Sequence, residues 1–344
     1  MPVIKPVRAL AVKLRKVQEV GRGTLVISLP KAWARRLGVR KGTILAVSET
    51  ALGQLIIEPF LGEEEGPTST VVRCDGKSPE EVGWTIIGAY LLGYDTVEVV
   101  ASNRISASVK STIRRVVRGL VGLEIVEEDL RRVVLNCLVN PSAVDLKTLL
   151  ARKSAITKSM HSDAVLALST GDHALAEMVV DRDEEVDRLY FLIVRLLRSA
   201  IRDLKLAERF GLTPVDCLDY RMAAKLIESI GDHAVEIASL VLKLPPDSSL
   251  KAISGALSRA EDLLKEMQDL AVKAFLGRRA ELVGRVKGML TAALGKAVRS
   301  VREGAGLLGE LGPVALSAAH LMHEIGKCCV DIADLVVPAG LELR

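Results

Sequence analysis

Hydrophobic and polar positions follow two different periods along the chain, and the change of period divides it. From Leu14 to Pro59 the apolar residues form short runs separated by glycine turns. Leu14 to Val20, the turn Gly21-Arg22-Gly23 and the β-branched run Thr24 to Leu29 predict two strands around a tight turn. Pro30 then opens a short helix, Lys31 to Leu37, which Gly38 ends. A strand pair over Thr43 to Ser48 and Gln54 to Pro59 completes this module. About 50 residues bury too little to be stable alone, so the module is expected to be a dimer.

The polar stretch Gly62-Glu63-Glu64-Glu65-Gly66-Pro67 reads as a linker. After it strands and helices alternate. Thr70 to Cys74 predicts a strand, and Ser78-Pro79-Glu80-Glu81 is a capping box that opens a helix running to about Leu92. Asp95 to Ala101 predicts a strand, Ala107 to Leu120 a helix, and Leu123 to Glu127 and Arg131 to Val139 two more strands. From Pro141 onward the apolar period is helical, as in Val186, Leu189, Tyr190, Ile193 and Leu197, or Ile230, Ala234, Ile237 and Val241. Breaks at Gly171, Gly211 to Pro214, Pro245-Pro246, Gly277 and Gly312-Pro313 divide this region into roughly six helices.

The helical region repeats itself. Leu226-Ile227-Glu228-Ser229-Ile230-Gly231-Asp232-His233-Ala234 aligns with Leu321-Met322-His323-Glu324-Ile325-Gly326-Lys327-Cys328-Cys329 at an offset of 95 residues. That offset is the length of a three-helix unit, so the pattern predicts duplicated bundles. The expected architecture is a multidomain α+β chain: a β module over 8–60, a small α/β domain over 67–140, and all-α repeats over 142–245 and 250–337.

Composition adjusts this picture in three places. Hydrophobic residues make up 49% and aromatics 3%, so the apolar mass is aliphatic and suits helix packing. Asn and Gln are scarce, a composition that hints at a thermophilic source. No apolar run reaches the roughly 18 residues needed to span a bilayer, and Met1 to Leu14 lacks a signal-peptide core. The expected location is the cytoplasm. Five cysteines at spacings that match no zinc or disulfide framework read as reduced thiols.

Charge is unevenly placed. Residues 1–60 hold 11 Lys/Arg against 3 Asp/Glu, whereas the rest of the chain is slightly acidic. A confined basic excess is the electrostatic footprint of a polyanion partner. The candidates for phosphate contact are Arg15, Lys16, Arg22, Lys31, Arg35, Arg36, Arg40 and Lys41. The competing reading is a solvated face on a module that only dimerises the protein, and Arg35 and Arg36 equally suit dimer packing.

Two acidic pairs stand at helical spacing: Asp183 with Asp187, and Glu228 with Asp232. Residues four apart share a helix face, and carboxylate oxygens suit hard cations such as iron, manganese, magnesium or calcium. The alternative is a solvated face or pairing with Lys and Arg. Repeat 2 does not reproduce the pairs: His323 and Lys327 replace Glu228 and Asp232, and no acidic residue lies between Glu281 and Glu303. One site is therefore expected rather than two. His320, His323 and Cys328 offer a softer ligand set, for which core or inert roles are the expectation.

Two resemblances attach to these motifs. The repeated Glu-x-Ile-Gly-Asp-His-Ala-Val-x-Ile-Ala segment, with Asp183-Glu184-Glu185-Val186-Asp187-Arg188-Leu189, resembles the PhoU family of phosphate uptake regulators. The segment from Arg15 to Gly42 looks like the AbrB/SpoVT swapped-hairpin domain, which binds DNA as an interleaved dimer. The combination is similar to archaeal PhoU-type regulators with an N-terminal AbrB-like domain. The resemblance implies a divalent or iron-type metal on repeat 1, held by Asp183, Asp187, Glu228 and Asp232. It implies DNA and a second copy of the chain as partners, and phosphate transporter components as a further class. It places Arg15, Lys16 and Arg22 at the DNA-contacting region.

No catalytic constellation stands out. The chain has no nucleotide-cradling glycine loop, no nucleophile motif, and no Glu-x-x-His of the kind a di-iron oxidase needs. Two function classes remain: a DNA-binding regulator of phosphate uptake, and an adaptor acting on a phosphate transporter or kinase without touching DNA.

Overall fold

A computed structural model describes residues 14–49, 53–60, 67–245 and 248–338. The chain divides into two compact units, 1–66 and 67–343. In the first unit β1 (Gln18–Val20) pairs antiparallel with β2 (Thr24–Val26). Gly21 and Gly23, with φ of 66° and 99°, make the turn between them. The short helix α1 (Lys31–Arg36) follows, with Pro30 at its N-cap. The second hairpin, β3 (Leu45–Glu49) with β4 (Leu55–Pro59), pairs Leu45 with Pro59 and Glu49 with Leu55. Both hairpins lie where the pattern put them, but the strands are shorter: Ile27 to Leu29 lie outside any strand. Not one described residue of this unit is buried, and Leu25, Ile44 and Leu55 are about two-thirds exposed.

The second unit begins with a four-stranded sheet of order β5-β6-β8-β7, built from Ser69–Arg73, Thr96–Val100, Leu123–Glu128 (β7) and Arg132–Cys137 (β8). β5 and β6 run parallel, while β8 is antiparallel to both β6 and β7. Helices α2 (Pro79–Leu91) and α3 (Ala107–Arg118) are the crossovers. The capping box read from the sequence is formed: Glu81 N donates to Ser78 Oγ, and the Ser78 N–H donates to the Glu81 carboxylate. Val82, Ile86, Tyr90, Val97, Val99, Ile113 and Leu135 form this domain's core.

The remaining helices are α4 (Leu146–Thr170), α5 (His173–Arg202), α6 (Leu204–Phe210), α7 (Pro214–Leu242), α8 (Ser254–Gly277), α9 (Ala280–Gly288), α10 (Gly295–Ala305) and α11 (Gly312–Asp334). The long ones follow in two successive sets, α4, α5 and α7, then α8, α9–α10 and α11. Two features go beyond the pattern. A seven-residue helix, α6, fills the α5–α7 connection, and a π-helical stretch, Met289–Leu294, joins α9 to α10. The repeated glycines have the same use in both units. A Cβ on Gly231 would meet Thr157 and Val186, and one on Gly326 would collide with Leu294. Each lets its helix approach its neighbours closely.

Two polar features join parts of the second unit. The Arg195 side chain, on α5, is buried and donates to the carbonyls of Tyr90 at 2.7 Å, Tyr94 at 3.0 Å and Gly93 at 3.3 Å. It thereby adds a charged donor to carbonyls at and just after the end of α2 and ties the α/β domain to the bundle. Between the repeats, on α4 and α8, the ring nitrogens of buried His161 lie 2.9 Å from Glu261 Oε1 and 2.9 Å from Gln268 Oε1. Gln268 Nε2 donates to Ser154 O and Thr157 Oγ1, which fixes its amide orientation. His161 Nε2 is therefore a donor. No described helix is long and apolar enough to cross a membrane.

Candidate cation site on the first repeat

Asp183 and Asp187 lie on consecutive turns of α5, and Glu228 and Asp232 on consecutive turns of α7. α5 and α7 pack against each other, with Val186 near Gly231, so the two pairs face one another. The fold brings all four predicted residues together. Glu228 sits deeper than its place off the apolar seam suggests, with its side chain only 13% exposed.

The three aspartates of this face are each pushed toward the neutral acid. Burial, then the charges of Asp183, Glu228 and Asp232, push the Asp187 carboxyl up to about 6. Asp183 is raised by burial and by Asp232 and Glu228. Asp232 is raised chiefly by burial, against the opposing pull of Lys225. Two other acids are committed to arginines: Glu185 on the motif pairs with Arg152 at 2.7 Å, and Asp163 on α4 with Arg182. Asp183 and Asp187 make no ion pair among the described residues, and Asp183 Oδ1 is buried without a hydrogen-bond partner.

Two lysines that the spacing argument did not include complete the site. Lys153, on α4, is fully buried; its Nζ donates to Ala224 O at 2.8 Å and lies 4.8 Å from the centre of the Tyr190 ring. Burial pulls its ammonium down to about 7, against the attraction of Glu228, Asp187 and Asp232. Lys225 Nζ lies 2.9 Å from Glu228 Oε2 and 3.8 Å from Asp232 Oδ2. Burial works against its charge, but attraction to Glu228 and Asp232 outweighs it and holds the ammonium above the usual lysine range. A signal for Lys153 was in the sequence. It falls on the buried α4 stripe of Leu146, Leu150, Thr157, Met160, Ala164 and Leu168, where a lysine is out of place.

Hard oxygen donors from two rigid helices, one of them an orphaned buried oxygen, fit a hard cation in chemistry. The geometry is less complete. Among the described residues no three His, Cys, Asp or Glu side chains converge on one ligand centre, and Lys225 lies against Glu228 at 2.9 Å. Among the described residues repeat 2 offers no counterpart. There Lys327 pairs with Glu324 at 2.8 Å and Lys287 with Asp334 at 2.6 Å. Cys328 is buried while His320 is largely exposed.

In the N-terminal unit all eight basic candidates are exposed. Arg15 and Lys16 precede β1, and Arg22 sits at the hairpin turn. Lys31, Arg35 and Arg36 lie on α1, with Arg40 and Lys41 in the turn after it. None of them makes an ion pair among the described residues, so their charge is free for a partner.

Residues 150–241 match the family model of the PhoU domain, a span that contains Lys153, both acidic pairs and Lys225. No curated protein matches the chain. Among solved structures the chain is similar to PhoU from Pseudomonas aeruginosa, at 18% identity over 56% of this chain and 93% of that one, with a TM-score of 0.46. It is also similar to the phosphate transport system regulatory protein PhoU from Streptococcus pneumoniae, at 18% identity over 56% and 91%, with a TM-score of 0.45.

Proposed function

We propose that this chain regulates phosphate uptake, its helical region serving as a PhoU-like sensory or interaction domain and its basic N-terminal module carrying it to DNA as a homodimer. The observation that carries the reading is the match of residues 150–241 to the PhoU domain. Deleting the gene is expected to uncouple uptake of labelled phosphate from external phosphate supply. Uptake that still responds normally to phosphate in the deletion strain would remove the reading.

The DNA-binding part rests on the first unit. Its described residues include no buried side chain and eight exposed, unpaired cations, as a half-built dimer facing a polyanion would have. A swapped-hairpin dimer would bury Leu25, Ile44 and Leu55 between two copies. On the protein's own upstream DNA, a gel-shift should give a complex that weakens steeply with salt. In this reading repeat 1 also holds one divalent or iron-type cation through Asp183, Asp187, Glu228 and Asp232. Metal content should fall in Asp183→Ala/Asp187→Ala relative to the parent protein.

One observation favours a second reading, an adaptor that contacts a transporter component or kinase without DNA. Val215, Leu218 and Met222 form a stripe on α7 in which each side chain is at least half exposed. An apolar stripe on an outer helix face suits protein docking. A salt-insensitive gel-shift, or none, would favour this reading.

A further inference from the structure

We infer that the groove between α2 and α3 is a self-association surface, which takes the same groove of a second copy of the chain with Trp84 as its anchor. It lies on the α/β domain and uses none of the residues of the acidic face.

Gly83, Trp84 and Ile87 on α2 and Thr112, Arg115 and Val116 on α3 line a groove of about 290 Å3. Its floor is apolar, and Gly83 keeps it open: a Cβ there would lie 3.0 Å from the Thr112 methyl. Trp84 rises from one side with 69% of its surface exposed. An indole is among the largest apolar groups a chain can leave in water. An exposed indole beside an apolar groove puts a knob and a hole on one face, and aromatic anchors that fill pockets carry most of the energy of an interface.

The charges on the two lips decide what fills it. Glu80 stands on the α2 lip, and Arg115 and Arg118 stand on α3. All three are exposed and make no ion pair among the described residues. Their neighbours are committed: Glu81 closes the Ser78 capping box, and Arg114 is held by Glu128 at 3.0 Å. One lip is therefore acidic and the other basic. A partner of a single sign, such as a nucleic acid or an anionic membrane, is repelled by one of them. A second copy of the face is attracted by both. β6 runs parallel to β5 and, through β8, to β7, so α2 and α3 point the same way. Gly83 packed on Thr112 and Val116 sets Trp84 level with Arg115, with Glu80 about one turn before it. A two-fold axis along the groove lays α2 of one copy over α3 of the other. Each Trp84 then enters the opposite groove beside Arg115, whose guanidinium can lie on the indole face, and each Glu80 comes within reach of the same arginine. α2 has 13 residues, so two helices about 20 Å long and ~10 Å wide offer about 400 Å2 per copy. A stable partner offers about 800 Å2. Pairing through this face is therefore weak and reversible, and it depends on the anchor and the charges rather than on area.

The test uses the full-length protein carrying Trp33→Phe, which leaves Trp84 as its single tryptophan. Acrylamide quenching reads the protected fraction of Trp84 over a range of protein concentrations. Glu80→Arg and Arg115→Glu each turn two attractive contacts into repulsive ones, so each should lower the ratio of paired to free faces about tenfold. Co-expressed in one cell and purified together, the two variants restore opposite charges at both contacts of a mixed pair. Protection in that mixture should rise well above that of either variant alone. Both positions are exposed, and the mixture can regain protection only if both chains are folded. Equal quenching of Trp84 in the parent and in both variants at every concentration would overturn the inference. So would a mixture no better protected than the average of the two variants, since Trp84 would then be covered by something other than a second copy.

Discussion

Asp187→Asn should stabilise the protein near neutral pH, the opposite of the usual effect of altering a partly buried residue. In the folded chain the Asp187 carboxyl is raised from 3.8 to about 6, first by burial and then by Asp183, Glu228 and Asp232. A raised folded-state value means that the fold prefers the neutral acid. That preference is fully expressed below about pH 4, where Asp187 is protonated in both states, and is lost as pH rises through about 6. A rise of that size corresponds to about 3 kcal/mol at most. The side chain is half-buried, and solvent screening reduces this to about 1 kcal/mol. Asparagine keeps the shape and removes the charge. Thermal melts of parent and variant with chelator present should differ by about 2–4 °C at pH 7.5, a scale set by the size of the unit. The gap should close as pH falls below 4. Added Mn2+ should stabilise the parent more than the variant, because the charge that is unfavourable in the empty face is what a cation would use. A variant that melts at or below the parent at pH 7.5 would refute the electrostatic account of this face.

Two further outcomes follow from the polar joints of the second unit. Arg195→Met should cost about 1–3 kcal/mol, because the carbonyls of Tyr90, Gly93 and Tyr94 lose a buried charged donor. Hydrogen exchange should then accelerate over residues 88–96 in particular, a local signature that unchanged exchange there would contradict. His161→Phe should cost ~3–5 kcal/mol by leaving the buried Glu261 carboxylate with only the Ser162 hydroxyl as partner and the Gln268 oxygen unpaired inside the α4–α8 seam. Adding Glu261→Leu should recover part of that loss in urea melts, since the buried carboxylate without its imidazole partner is then gone.

The periodicity read from the chain located nearly every element because local chemistry settles them. The Ser78 capping box, the αL turn at Gly171 and the Thr213-Pro214 start of α7 act within four residues, so they operate before any tertiary contact forms. The 95-residue repeat likewise announced two similar bundles, and helical spacing alone put Asp183 with Asp187 and Glu228 with Asp232 on common faces. The sequence also showed that repeat 2 lacks these pairs, and in the structure Lys327, at the place of Asp232, pairs with Glu324. What spacing could not provide is proximity between helices. That the two acidic pairs face each other depends on how α5 packs on α7, and Gly231 permits that approach by lacking a Cβ. The parts played by Lys153 and Lys225 depend on the same packing. Lys153 lies some 75 residues from Glu228 in the chain, yet its charge is felt there because α4 delivers it beneath the face. Arg195 is the clearest case: on α5 it reads as one more surface arginine, and only its burial against the end of α2 makes it the bolt between domains. Local sequence determines which turns and faces form, because those energies are short-range. Which charges end up sharing a low-dielectric space is a property of the packed whole.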